Sequence, residues 1–131
     1  MISVDSSVVV RYLVGSPAEQ AIRAARLMDS DIEVGVSLIV LLETAHVLRT
    51  QYGVARADVL DKVVELLTRS NVTTLGAPKP EVLDALVRAR SIAGSPIPDA
   101  FVVLVSRLAG AVPIYSFDAT LHRHGAPVSA P

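Results

Sequence analysis

Short apolar runs alternate along the chain with longer segments of helical periodicity. The run "ISV" at 2–4 predicts a strand, and "SSVVVRYLVG" at 6–15 a short helix ended by Gly15. Ser16-Pro17 opens a helix to about Asp29, with Ala21, Ala24, Ala25 and Met28 on one side. A second strand is predicted at 33–37, "EVGVS", and Ser37 is placed to cap a helix over about 38–52 that stops before Gly53. Between 55 and 70, Val59, Leu60, Val63, Val64 and Leu67 recur at helical spacing while Asp61, Lys62 and Glu65 face out. "NVTTLG" (71–76) predicts a third strand. Pro80 begins a helix to about Ala93, and "SPIPDAF" leads into another over about 99–109. "VPIYS" (112–116) predicts a fourth strand, Asp118 a short last helix to Gly125, and "PVS" a final edge strand.

Strands alternating with helices predict an α/β domain over 1–131, with a central parallel sheet of four to five strands and helices on both faces. In such sheets ligands collect beyond the carboxyl ends of the strands. Asp5 closes the first predicted strand and Asp118 the fourth, so both acids are expected at that edge.

Composition sharpens this picture. Hydrophobic residues make up 51% of the 131 residues and aromatics only 4%, so the core is built from Val, Leu, Ile and Ala. Charged residues make up 19%, below the usual quarter or so, which predicts apolar surface around the helices at 6–14, 17–29 and 55–70. The net charge of −1 supplies no global field for nucleic acid, so such binding needs a local patch. Ten of the twelve basic residues are Arg, which suits bidentate phosphate contacts. The absence of Cys excludes disulfides and thiolate metal sites. Asp5 and Arg11 interrupt the N-terminal apolar run, and no apolar stretch approaches the twenty or so residues of a membrane helix. The expectation is a soluble, cytoplasmic protein without a membrane partner.

Four of the thirteen acids stand out. Glu43, in "SLIVLLETAHVL", has Ile39, Val40, His46 and Val47 as helical neighbours, which predicts a carboxylate at least half-buried. Either it joins an ion pair with an Arg or His46, or it belongs to a site. Asp99 either complements the dipole of its helix or marks a cleft, because Phe101 to Val105 predict a helix buried nearly all round. Asp5 and Asp118 each suit a turn or a helix cap. Taken together, four such carboxylates share protons or hold a cation. Hard oxygen ligands favour Mg²⁺ or Mn²⁺ over Zn²⁺, and carboxylates with divalent ions suit phosphoryl transfer.

These residues resemble a known family. A strand ending "VDSS", a helix with "SLIVLLE", a helix opening "DAFVVLVSRLAGA" and a strand ending "YSFD" are similar in order and spacing to the PIN-domain ribonucleases. At this length they resemble in particular the VapC-type toxins of bacterial toxin–antitoxin pairs. The resemblance covers nearly the whole chain. It implies that Asp5, Glu43, Asp99 and Asp118 form an acidic quartet binding Mg²⁺ or Mn²⁺, supported by Ser6 and Ser116. It implies endonucleolytic cleavage of RNA to a 5′-phosphate and a 3′-hydroxyl. The partners it implies are a cognate antitoxin protein and a second toxin chain in a homodimer. One departure is the segment "DATLHRHG", where Ala119, Thr120 and Leu121 stand where many members carry another acid. Asp118 then bears more of the charge on that side.

Two other readings compete. A catalytically inactive PIN-like module would work through protein partners. A phospho-acceptor receiver-like domain also groups acids at strand ends, but needs a strand-end lysine, and Lys62 and Lys79 are not so placed. His46, three residues after Glu43, and "HRHG" (122–125) are weaker metal or phosphate candidates; a solvated tail is the expectation for the latter. No glycine-rich phosphate loop occurs.

Overall fold

The first strand, β1 (Ile2–Ser3), is short because Asp5 immediately caps helix α1 (Ser6–Val14), and Gly15, at φ 77°, ends that helix in the left-handed region that favours glycine. In the computed structural model, which describes residues 1–131, the chain continues through α2 (Ala18–Met28), β2 (Val34–Ser37), α3 (Leu38–Thr50) and α4 (Arg56–Leu67). β3 (Val72–Leu75), α5 (Lys79–Ser91), α6 (Ile97–Leu108) and β4 (Ile114–Tyr115) follow. A 3-10 helix (Ala119–His124) and β5 (Val128–Ser129) complete it. Ser37 caps α3, its Oγ accepting from Val40 N–H at 3.1 Å.

The predicted α/β architecture with parallel strands is present, but its strands divide. β1, β2 and β3 form one parallel sheet in that order, with Ile2 opposite Val34 and Val34 opposite Val72. β4 and β5 form a separate parallel pair, Ile114 opposite Val128. The central sheet therefore has three strands rather than four or five. In the middle strand Val34, Gly35 and Val36 are all buried, as expected for a strand covered on both faces. Gly35 leaves room for Leu75; a Cβ there would stand 2.9 Å from Leu75 Cδ1.

The main core gathers apolar residues from every helix and from β1 to β3, including Met28, Leu41, Leu48, Leu60 and Leu86. A second, small core of Val103, Leu121 and Ala126, backed by Ile114 and Val128, fastens the β4–β5 unit to α6.

Two surface expectations are corrected. α6 is not buried all round: Ile97, Ala100, Phe101, Val103 and Leu104 face inward while Val102, Val105 and Leu108 are exposed. A run of consecutive apolar residues must place some outward at 3.6 residues per turn. The exposed large apolar side chains also collect at α6 and β4, where Tyr115 and Phe117 (95% exposed) point to solvent. α1 and α4 contribute none of them, and α2 only Ile22.

Candidate active site

Asp5 is fixed by the helix it starts. Its Oδ1 accepts from Ser7 N–H at 3.0 Å, Val8 N–H at 3.3 Å and Ser7 Oγ at 2.5 Å. The Ser7 hydroxyl, followed by the Val8 N–H, holds the carboxyl below the usual range, so it is ionised at neutral pH. The cap reading of Asp5 is thus real, yet its other oxygen accepts nothing from the protein.

Ser6 reaches across to α3. Its Oγ donates to Glu43 Oε2 at 3.3 Å, linking positions 37 residues apart through the packing of α1 on α3. Glu43 itself is exposed, which corrects the expectation of a half-buried carboxylate. The inward face of α3 is set by Leu41, Thr44, Ala45 and Leu48. Ile39 (69% exposed), Glu43 and His46 lie on the opposite side, so apolar neighbours in sequence do not enclose Glu43. It makes no ion pair, with His46 or any arginine.

Asp118 repeats the arrangement of Asp5 at the start of the 3-10 helix. Its Oδ1 accepts from Thr120 N–H at 2.9 Å and Thr120 Oγ1 at 2.6 Å, and these bonds, the hydroxyl first, hold its carboxyl low. Ser116 supports it through the backbone, its Oγ accepting the Asp118 N–H at 2.9 Å. Asp99 lies in the first turn of α6, half-buried, with no hydrogen bond from the protein to its side chain.

The structure therefore joins Asp5, Ser6 and Glu43 through one helix start and one hydrogen bond. Asp118 rides on the β4–β5 pair, which shares no ladder with β1. No three His, Asp or Glu side chains stand close enough to hold one metal ion together. The donor chemistry nonetheless suits a hard divalent cation: each of the four acids keeps at least one oxygen without a protein donor. The ion pairs are Arg69–Asp29 at 2.7 Å and Arg90–Asp61 at 3.1 Å, so no basic side chain neutralises any of the four.

Two features escaped sequence reasoning. His124 is not part of a solvated tail: it is 4% exposed, with Nε2 2.7 Å from Ser95 Oγ. Burial lowers its pKa, opposed by the Asp99 charge and reinforced by Arg56, Arg123 and Arg88. The other is a cavity beside α3 carrying Arg49 and Arg56. Arg56 Nε donates to Ser95 O and its Nη2 to Ala89 O at 2.8 Å, partners over thirty residues away that no local pattern signals.

The model of the PIN domain family matches residues 2–127. No curated protein and no solved structure matches the chain significantly.

Proposed function

From the premise that the chain belongs to the PIN-domain family, we propose that it is a Mg²⁺- or Mn²⁺-dependent endoribonuclease serving as the VapC-type toxin of a toxin–antitoxin pair. PIN domains are commonly metal-dependent nucleases. The observation that carries the reading is the state of the four acids: Asp5, Glu43, Asp99 and Asp118 have no basic partner, whereas Asp29 and Asp61 do. Four uncompensated carboxylates at helix starts and on one exposed helix face favour a cation.

Asp5, Glu43, Asp99 and Asp118 are the residues that would hold the ion. When bound, it neutralises charge on a phosphodiester and acidifies water for hydrolysis. The chain supplies the rest. Ser7 and Val8 keep Asp5 ionised and aimed by its Oδ1, and Thr120 does the same for Asp118. Ser6 restrains Glu43, and Ser116 sets the turn that presents Asp118. The substrate is locally single-stranded RNA, cut to a 5′-phosphate and a 3′-hydroxyl. The partners are a cognate antitoxin and a second copy of the chain, and the setting is the cytoplasm. No helix of the chain is long and apolar enough to cross a membrane.

The separation of Asp118 from β1 favours a second reading, an inactive PIN-like module acting through protein contacts. One experiment decides. Purified protein free of antitoxin is given single-stranded RNA with Mg²⁺, Mn²⁺ or EDTA. Cleavage with either ion and none in EDTA is expected. Full activity in EDTA defeats the metal mechanism, and no cleavage under any condition favours the binding module.

A further inference from the structure

We infer that the cavity between α3 and the Gly94–Pro98 loop is a phosphate-binding subsite for single-stranded RNA, with Arg49 and Arg56 as its cations. The inference rests on the nuclease reading and gives its substrate a place to bind. The cavity has a volume of about 400 Å³ and is lined by His46, Arg49 and Thr50 of α3, by Arg56 and by the loop. That size is typical of built ligand sites. No acid lines it.

The two arginines differ in a useful way. Arg56 is half-buried and clamped by neutral carbonyls, Ser95 O and Ala89 O, which fix its direction without cancelling its charge. Arg49 is exposed and makes neither a hydrogen bond nor an ion pair, so its whole donor fork is open. Burial, and after it the charge of Arg49, lowers the pKa of Arg56, which places the two cations within reach of each other. Like charges around a recess are unfavourable until an anion enters. A phosphodiester answers that need with two oxygens for a planar fork.

The cavity also lies where a substrate strand would run. Arg49 follows Glu43 by six helical positions, about 9 Å along α3 at ~1.5 Å per residue, and His46 lies between them on the Glu43 side. At the other wall, Pro98 of the lining precedes Asp99 directly. A strand anchored by a phosphate here passes next to both candidate acids.

The test uses fluorescence anisotropy of a labelled single-stranded oligoribonucleotide with the full chain in EDTA, at several salt concentrations. Arg49→Ala should weaken binding about tenfold and reduce the salt slope by about 0.7. Arg49→Lys should recover part of the affinity because the charge returns. Arg26→Ala, on exposed α2, should change neither quantity. Arg56→Lys should weaken binding with an unchanged melting temperature. In Mg²⁺ or Mn²⁺, Arg49→Ala should raise KM and leave kcat. Equal affinity and slope for wild type and Arg49→Ala overturns the subsite, even if the wild type cuts RNA. Displacement of the RNA by poly-glutamate at equal concentration also overturns it, assigning the cavity to an acidic protein segment. Arg49-dependent binding without cleavage in any metal leaves the subsite standing and defeats the nuclease reading. No RNA binding by the wild type defeats both.

Discussion

An Asn at position 5 separates two roles of one side chain. Asn caps a helix as well as Asp, so Asp5→Asn should melt close to the wild type while losing cleavage to background. Asp5→Ala loses the cap as well and should cost roughly 1 kcal/mol of stability, read by chemical denaturation. Asp118→Asn is expected to be milder: it sits beyond the main sheet, with no acid following it in "DATL", and should retain some cleavage at raised Mn²⁺. A metal titration of both variants on one RNA checks the ranking; equal and complete loss at every Mn²⁺ concentration contradicts it. His124 sets a pH dependence of another kind. Its folded-state pKa is lowered by burial from 6.5, so the unfolded chain binds the proton more readily. Stability is therefore full above about pH 6.5 and declines as the pH falls towards the folded-state pKa. Asp5 and Asp118, whose folded-state pKa values are also lowered, give up their contributions only as the pH falls below their ordinary 3.8. Melting curves between pH 7 and pH 5 should show the decline in the wild type and a flatter profile in His124→Gln.

At the scale of elements, local patterns gave the helices well. Ser37 caps α3 and Gly15 ends α1 as the sequence suggests, and α6 begins at Ile97, two residues before the expected Asp99. Which way a helix faces was less legible. The "SLIVLLE" pattern is nearly all apolar, so periodicity could not assign Glu43 a side; packing of Leu41, Thr44 and Leu48 decided it. Sheet membership was not legible at all for β4. Strand pairing is non-local, and the small core of Val103, Leu121 and Ala126 draws β4 and β5 towards α6. The acids were found by residue type and setting, while the Arg56 clamp and His124–Ser95 pair depend on contacts between distant segments. Where pairing is tight it can be tested. Gly35→Ala puts a methyl against Leu75 and should destabilise β2–β3 by about 1–3 kcal/mol through overpacking. Leu75→Val in the same chain should return part of that loss, measured as a double-mutant cycle in urea.

At the scale of the molecule, the exposed stripe of Val102, Val105 and Leu108, continued by Tyr115 and Phe117, is the surface on which the proposed second copy would settle. Sedimentation equilibrium should show concentration-dependent association, weakened at least tenfold by Val105→Glu; an unchanged equilibrium puts the self-contact elsewhere. The β4–β5 unit has a further consequence. Its ladder is two residues per strand and its core has three fully buried side chains, against twenty-two in the main core. Cooperative units with so few buried contacts open at a free energy below that of the whole. Amide protons of residues 114–129 should therefore exchange with solvent through a private opening, faster than those of β2 and β3, whose exchange waits for global unfolding. Because Asp118 rides on the unit that opens first, warming should extinguish cleavage while far-ultraviolet circular dichroism still reports an intact molecule.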